Sequence, residues 1–413
     1  MGILLYIDPG TGSMLFTILI GIIGAGIYSL RLLILKIKFV MSGGKAVTDK
    51  GDRIPYVIFS DHKRYWSVFE PVCREFDKRG IDVVYMTSSP DDPGLSSDIG
   101  HVKGEFIGEG NRAFARLNFI KADILLSTTP GLDVYQWKRS RDVKYYVHIP
   151  HAASEITLYR FFGIDYYDAI LLSGQFQADD VRALEKLRGL PEKELVMTGI
   201  PYMDVMFNRL KNAVPVEKDG VTVLLAPTWG PDGILSKFGE KIIDELLKTG
   251  YHIIIRPHPQ SFSSEKEIIE GLMTKYPGSE DLEWNRDNDN FEVLRKADIM
   301  ISDFSGVIFD FTLVYDKPVI YTAAQIDRSI YDAWWLDTPL WTEKILPKLG
   351  RELNENSIDD VKTTIDECLN DKRYALGREE ARKESWAYMG EGAVRVVDYR
   401  TEKKNSLEKG EKS

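Results

Sequence analysis

Cysteine is scarce in this chain, which has only Cys73 and Cys368 among its 413 residues. The two lie far apart and have no histidine or cysteine at metal-ligand spacing, so neither a disulfide framework nor a zinc site is predicted. No paired-carboxylate or His-rich cluster indicates an obligatory metal, and we expect no cofactor. Such cysteine usage fits a reducing, cytoplasmic setting.

Net positive charge is also lacking, because 63 acidic residues outnumber 53 lysines and arginines and leave a formal net charge of −10. Binding to a nucleic-acid backbone requires a basic surface, so nucleic acid is not an expected partner. A Walker phosphate loop is missing too, since the Ser-Gly-Gly-Lys at residues 42–45 lacks the flanking strand and helix. With 44% hydrophobic and 28% charged residues, the composition is typical of a globular protein.

One long apolar stretch is present, at residues 13–40. It is long enough to span a bilayer. Asp8 precedes it, whereas four basic residues lie between positions 31 and 45, the reverse of a signal peptide. By the positive-inside rule, we expect a single-pass protein of the cell membrane with everything after residue 40 in the cytoplasm. The alternative is a buried hairpin or a helix on the membrane surface.

Beyond this stretch, apolar runs of strand length alternate with helical patterns. The alternation predicts parallel sheets covered by helices on both faces. A Pro/Gly/charge-rich linker, "KNAVPVEKDG", separates two such series. We therefore predict an α/β protein with two doubly wound, Rossmann-like domains that face each other across a cleft. The predicted segments are a membrane anchor and linker at 1–45, an N-terminal domain at 52–213, a C-terminal domain at 218–390 and a disordered tail at 400–413.

Two predicted strands end in histidines, and ligands of open parallel sheets lie beyond the carboxyl ends of the strands. His151 follows "YYVHIP" and, with a pKa near neutrality, would serve as a general base on a hydroxyl; a histidine that only caps the turn is the alternative. His148, inside the strand, is expected to be packed. In "IIIRPHP", Arg256 and His258 enter a turn stiffened by prolines, where they suit a diphosphate. An arginine paired with a carboxylate is the other interpretation.

A third strand end lies in "ADIMISDFSGVIFDF". Ser302, Asp303, Ser305 and Gly306 crowd the start of the predicted helix, where free N–H groups and the positive end of the dipole favour phosphate. Asp303 and Ser305 would serve equally well as helix N-caps. Convergence of this turn with the His-Pro turn on one crevice favours a phosphate site. Further cleft candidates are Thr228, Trp229 and Asp310.

Five motifs carry a resemblance to a known family: "YVHIPHAASEI", "ELVMTGIPYMD", "VLLAPTW", "IIIRPHP" and "ADIMISDFSGVIFDFTLVYDKPVIY". In order and rough spacing they resemble the CDP-glycerol glycerophosphotransferase family, the primases and polymerases of wall teichoic acid synthesis, over about residues 54 to 385. The resemblance implies a GT-B architecture. Its N-terminal domain would handle a membrane-linked acceptor, and its C-terminal domain would hold the nucleotide donor.

The resemblance also implies residue roles. His151 matches the histidine of the family's His-Gly-Thr motif, the expected base, and His258 matches a second essential histidine near the donor diphosphate. Ser302, Asp303 and Ser305 fall on the family's Ser/Thr-Asp-Tyr-Ser-Ser turn, which binds donor phosphate. The implied reaction moves glycerol phosphate from CDP-glycerol, or another CDP-polyol, to a hydroxyl of a lipid-linked or glycopolymer acceptor and releases CMP.

Three departures from the family pattern keep the donor open. His-Gly-Thr is replaced by residues 151–153, His-Ala-Ala, and the second serine of the phosphate turn is Gly306. Pro-Thr-Trp/Tyr-Arg-Asp becomes residues 227–232, Pro-Thr-Trp-Gly-Pro-Asp, which loses an arginine. Ribitol phosphate or another polyol phosphate would fit as the transferred group. A GT-B glycosyltransferase using a nucleotide sugar and a non-catalytic, membrane-tethered nucleotide-binding protein are the alternative functions.

Overall fold

The computed structural model describes residues 53–217, 219–287, 289–303, 305–322 and 326–410. The predicted membrane segment and its linker, residues 1–45, lie outside this range. Within it, no helix combines the length and the apolar character needed to cross a membrane.

In the described part of the chain, residues 54–197 form a parallel sheet of seven strands in the order β3-β2-β1-β4-β5-β6-β7. The strands β1 to β7 are Ile54–Ser60, Val83–Thr87, Val102–Phe106, Ala122–Ser127, Val143–His148, Ala169–Leu172 and Glu194–Met197. Helices α1 to α4 are Trp66–Lys78, Asn111–Leu117, Gln175–Arg188 and Pro201–Lys211. The strand order reverses between β1 and β4, the position at which such sheets open a crevice for ligands.

A second parallel sheet follows, with six strands among the described residues in the order β10-β9-β8-β11-β12-β13. The strands β8 to β13 are Thr222–Ala226, His252–Ile255, Leu282–Trp284, Ile299–Ser302, Val319–Tyr321 and Gly350–Glu352. Helices α5 to α8 are Ile234–Leu247, Ser261–Ser264, Lys266–Lys275 and Phe291–Lys296. Helix α9, Val307–Phe309, continues as a π-helical turn over Asp310–Val314, and α10 to α12 are Trp341–Leu349, Val361–Asn370 and Lys372–Ser385.

The inner strands of both sheets, such as β4 and β8, are buried on both faces, which explains the continuous apolar runs in the sequence. In β8, Val223 and Leu225 pack in one core with residues of α5 and α7. Leu224, which points to the opposite face, packs with Met300 and residues of α10. Helices therefore cover each side of the sheet, and the predicted doubly wound α/β architecture is confirmed.

The end of the chain differs from the prediction. Helix α13, Gly392–Gly410, returns to the first domain, where Val396 and Val397 are fully buried in the core formed with β1 and α1. Arg400 is 0% exposed, and its Nη2 donates to the Val57 carbonyl at 3.0 Å. The predicted disordered tail at 400–413 is therefore wrong for residues 400–410. The sequence did not indicate this helix because these residues are mostly polar. The aliphatic stem of a buried arginine nevertheless packs as an apolar group.

Candidate active site

The carboxyl ends of the neighbouring strands β1, β4 and β5 bring polar and aromatic side chains together. His151 follows β5, and its Nδ1 lies 3.4 Å from the hydroxyl of Thr128, which follows β4. The imidazole centroid lies 5.0 Å from that of the Tyr65 ring, beyond β1, and 6.2 Å from that of the Tyr159 ring. The structure thus places His151 at the crevice where the strand order reverses.

His151 is held in its neutral form. Burial and, secondly, the positive charge of Arg64 lower the pKa of His151 to about 4. Among the described residues, no carboxylate hydrogen-bonds to the imidazole to raise its pKa again. The ring is consequently unprotonated at pH 7, and a nitrogen lone pair is free to accept a proton from a hydroxyl.

A cavity of about 240 Å³ opens beside His151. The loop between β5 and β6 supplies one wall, including His151 and Tyr159. The second domain supplies the other wall with Ser305, Gly306 and Phe309. The structure therefore brings the predicted base and the predicted phosphate turn into one space, although they are far apart in the sequence.

A buried carboxyl group joins the two walls of this cavity. Glu155, from the first domain, is 4% exposed and lines the cavity. One of its oxygens accepts from the backbone N–H of Thr342 in α10, and the other accepts from the Thr342 hydroxyl at 2.6 Å. Burial raises the pKa of Glu155, and the two hydrogen bonds from Thr342 offset part of this increase. The pair links the domains at the cavity itself.

Ser302 and Asp303 do not line this cavity, so their predicted contact with donor phosphate stays a prediction. The Ser302 hydroxyl donates to the Ala226 carbonyl at 2.7 Å, and both residues are buried. The Asp303 carboxylate accepts from the backbone N–H groups of Thr228 at 2.7 Å and Ile234 at 3.0 Å. These two residues brace the loop after β8 against the phosphate turn.

Ser305 and Gly306 are the members of the predicted phosphate turn that line the cavity. Gly306 is exposed, and a Cβ added there would meet no heavy atom within 4 Å. The turn therefore leaves room for a ligand to approach its backbone at the start of α9.

Arg256 and Asp310 border a different cavity, of about 410 Å³. Arg256 donates to the side chain of Asn285. The Asp310 carboxyl accepts from the Tyr202 hydroxyl at 2.7 Å, and burial raises its pKa to about 7. The structure therefore separates these two predicted site residues from the cavity beside His151.

His258 lies in the exposed turn after β9, and its Nδ1 accepts from the backbone N–H of Gln260 at 3.1 Å. Burial and the charge of Arg64 lower the pKa of His258, whereas Glu265 opposes this shift. His258 does not line the cavity beside His151, but the charge of Arg64 acts on both histidines.

The remaining cleft candidates lie in the loop after β8. The backbone N–H of Thr228 donates to the Asp303 carboxylate, and the Trp229 side chain is exposed. Neither residue lines the two cavities described above.

Arg64 and Tyr65 were missed by the sequence reasoning. They belong to "DHKRYW", which directly follows β1. The rule that ligands lie beyond strand ends applies to β1 as well, so this polar segment was the available signal. Across the described residues, no group of three or more His, Cys, Asp or Glu side chains is arranged to hold a metal ion.

Comparison with protein families gives a match over residues 167–388 to the model for CDP-Glycerol:Poly(glycerophosphate) glycerophosphotransferase. The matched range includes Arg256, His258 and the turn at Ser305, whereas His151 precedes it. The role of His151 as the base therefore stays a prediction that rests on its geometry and its local motif.

Individual relatives match over shorter ranges. A teichoic acid glycerol-phosphate primase of Bacillus spizizenii is 27% identical over 167 residues, which are 38% of this chain and 40% of the primase. The teichoic acid ribitol-phosphate polymerase TarL of Staphylococcus aureus is 25% identical over 160 residues, 34% of this chain and 27% of that protein. The match thus spans less than half the length of each relative.

Solved structures resemble the chain over more of its length. The wall teichoic acid polymerase TagF matches with a TM-score of 0.58 and 15% identity, covering 92% of this chain and 99% of that chain. The UDP-GlcNAc 2-epimerase of Methanocaldococcus jannaschii, in complex with UDP-GlcNAc and UDP, matches with a TM-score of 0.57 and 14% identity. That match covers 84% of this chain and 99% of the epimerase chain. These likenesses confirm the GT-B-like fold, and the similar scores of a polymerase and an epimerase leave the activity to other evidence.

Proposed function

Because the chain belongs to the CDP-glycerol:poly(glycerophosphate) glycerophosphotransferase family, we propose that it transfers glycerol phosphate from CDP-glycerol to an acceptor hydroxyl. The product would be teichoic acid or a related cell-surface polymer. The observation that carries this proposal is the cavity in which His151 of one domain faces Ser305 and Gly306 of the other. A base and a phosphate-binding turn on opposite walls are what a phosphotransfer between two bound substrates requires.

The reaction proceeds by attack of the acceptor oxygen on the β-phosphorus of CDP-glycerol. The neutral imidazole of His151 takes the hydroxyl proton as the new O–P bond forms. The bond from the β-phosphorus to the oxygen that bridges to the α-phosphorus breaks, and its electron pair leaves on CMP. The acceptor gains a phosphodiester-linked glycerol, which supplies a new terminal hydroxyl.

The second domain supplies the groups that hold the donor. We assign the Ser305 hydroxyl and the backbone N–H groups at the start of α9 to the phosphate oxygens of the donor, because Ser305 and Gly306 line the cavity. We assign His258 to the diphosphate as a hydrogen-bond donor. Ser302 and Asp303 act on the donor indirectly, because their hydrogen bonds to β8 and to the loop after it fix the position of the turn.

A second donor is CDP-ribitol. The relatives include both a glycerol-phosphate primase and a ribitol-phosphate polymerase. Gly306 leaves open space where the family carries a serine. This space does not favour glycerol over ribitol on steric grounds.

We further propose that the acceptor is membrane-linked and that the chain is a single-pass protein of the cell membrane. The apolar residues 13–40 and the basic residues that follow support an anchor with the transferase domains on the cytoplasmic side. Such an anchor would hold the active site close to a lipid-linked substrate and raise its effective concentration.

Alanine substitution of the two histidines tests the site. We expect His151→Ala and His258→Ala each to reduce CMP release by about 10²-fold or more, as loss of a general base or a phosphate donor does. The assay uses the full chain in detergent, CDP-glycerol and a membrane lipid extract. His252→Ala is the matched control, since His252 lies at the other end of β9 and hydrogen-bonds the Glu280 carbonyl at 3.0 Å. Full turnover by both His151→Ala and His258→Ala would show that the site is assigned wrongly.

The alternative functions give other outcomes in the same assay. Release of a nucleoside diphosphate from nucleotide sugars would indicate a glycosyltransferase. Thermal stabilisation by nucleotide without turnover would indicate a binding protein.

A further inference from the structure

An exposed arginine, Arg64, lies beside the base and contacts no carboxylate of the described residues. Arg64 belongs to the 3₁₀ turn Lys63–Tyr65 that follows β1. Its guanidinium carbon lies 4.8 Å from the centroid of the Tyr65 ring, and that ring lies 5.0 Å from the imidazole of His151. Within the described part of the chain, Asp61 acts on Arg64 without forming an ion pair, whereas Lys63 next to it is paired with Asp91.

Arg64 acts on histidines of both domains. After burial, which has the larger effect in each case, its positive charge lowers the pKa values of His151 in the first domain and His258 in the second. Because the lowered pKa values leave both imidazoles neutral at pH 7, they carry no charge that opposes an anion, and an anion bound between the domains would be attracted by Arg64. A diphosphate would supply that anion.

We propose that Arg64 binds the β-phosphoryl group of the donor across the cleft. It would thereby complete, from the acceptor-side domain, a site whose other phosphate ligands come from the second domain. The proposal rests on the proposed function. A guanidinium presents two parallel N–H donors to a phosphate, and stacking on Tyr65 restricts its orientation before the donor arrives.

This placement has two consequences for the reaction. Arg64 would neutralise charge on the equatorial oxygens of the β-phosphoryl group as the bond to CMP breaks. The bound phosphate would in turn offset the field of Arg64 at His151 and raise the pKa of that imidazole towards neutrality, which makes it a stronger base. The other groups around His151 are Thr128, Tyr159 and the buried His148.

The test compares Arg64→Ala, Arg64→Lys and the control Lys63→Ala for kcat, for the KM of CDP-glycerol and for inhibition by CMP. We expect Arg64→Ala to lower kcat/KM by about 10²–10³-fold, as loss of one charged transition-state donor does. Arg64→Lys should recover part of this loss, because lysine keeps the positive charge but lacks the two parallel N–H donors of the guanidinium. Lys63→Ala should stay within about twofold, because an exposed ion pair contributes little.

Inhibition by CMP separates this role from a general effect on the fold. CMP lacks the β-phosphoryl group, so its inhibition constant should stay within about threefold in Arg64→Ala while the KM of CDP-glycerol rises. The acidic limb of the kcat/KM profile should also move to higher pH in Arg64→Ala and not in Arg64→Lys, because the free enzyme loses the positive charge that lowers the pKa of His151.

Unchanged kcat/KM in Arg64→Ala, or an equal loss of CMP and CDP-glycerol binding, would overturn the proposal. If the wild-type chain released no CMP, the proposed function would fail, and thermal stabilisation by inorganic pyrophosphate would still test Arg64. Stabilisation of the wild type and of Lys63→Ala but not of Arg64→Ala would support an anion site at Arg64. Equal stabilisation of all three, or of none, would contradict it.

Discussion

At the scale of single residues, Gly306 is the departure from the family turn that bears most directly on the donor. We expect Gly306→Ser to be accommodated, because an added Cβ meets no heavy atom within 4 Å and the backbone φ of −58° suits any residue. The midpoint of thermal unfolding should stay within about 2 °C, and the KM for CDP-glycerol should stay equal or fall.

The matched control is a glycine without such space. At Gly174 an added Cβ would lie 1.9 Å from the Glu384 carbonyl oxygen, so Gly174→Ser should lower the unfolding midpoint by several degrees. A rise of about tenfold in the KM of Gly306→Ser, with stability kept, would mean that the phosphate occupies the position of the missing side chain.

The buried His148 makes stability depend on pH. It is 0% exposed, its Nε2 lies 3.2 Å from the Tyr159 hydroxyl, and burial lowers its pKa to about 3. Between pH 6.5 and 3 the unfolded chain therefore binds more protons than the folded one, so stability is lost as the pH falls. The loss from this one residue is about 2 kcal/mol at pH 5. Urea unfolding of His148→Gln at pH 7 and pH 5 should show a smaller difference than the wild type, and an equal difference would contradict this account.

Residue types at strand ends were predictable, but their contacts were not. His151 and Ser305 were found because they follow apolar runs of strand length. Ser302 and Asp303 looked equally suitable, since a serine or aspartate there serves phosphate binding or loop bracing. Their hydrogen bonds to Ala226 and Ile234 show that both residues brace the loop, and no local pattern could reveal partners so distant in sequence.

At the scale of secondary structure elements, helix α13 makes the first domain depend on the end of the chain. The guanidinium carbon of Arg400 lies 4.9 Å from the Phe76 ring centroid, and its Nε and Nη1 have no hydrogen-bond partner among the described residues. Its burial therefore contributes mainly through packing. We expect Arg400→Met to change the free energy of unfolding by less than about 1 kcal/mol or to stabilise the protein.

Arg400→Ala should instead cost about 2–4 kcal/mol, because it leaves a cavity among the core side chains. Urea unfolding curves of the two variants measure the difference. Equal destabilisation by both would show that the charge of Arg400, rather than its stem, stabilises the docked helix.

The elements themselves were predictable to different degrees. Strands buried on both faces appear as unbroken apolar runs, which is why the two sheets could be predicted. Helix α13 escaped because residues 400–410 contain a single large apolar side chain, Leu407. Its docking depends on Val396 and Val397, which precede the predicted tail.

At the scale of the whole molecule, the candidate site exists only because two domains meet. His151 and Glu155 come from the first domain, and Ser305, Gly306 and Thr342 come from the second. Alternating strands and helices predicted these two domains and the cleft. The sequence could not show that Arg256 and Asp310 border a separate cavity, because that depends on how the domain surfaces fit together.

The fold alone does not select the reaction, since a polymerase and an epimerase resemble this chain equally well. The central claim is therefore the identity of the transferred group. The most direct measurement incubates the full wild-type chain in detergent with membrane lipid extract and CDP-glycerol labelled in the glycerol. We expect label to appear in the acceptor in equal amount to released CMP. Release of CDP, or CMP formation without label in any acceptor, would contradict phosphotransfer as the function.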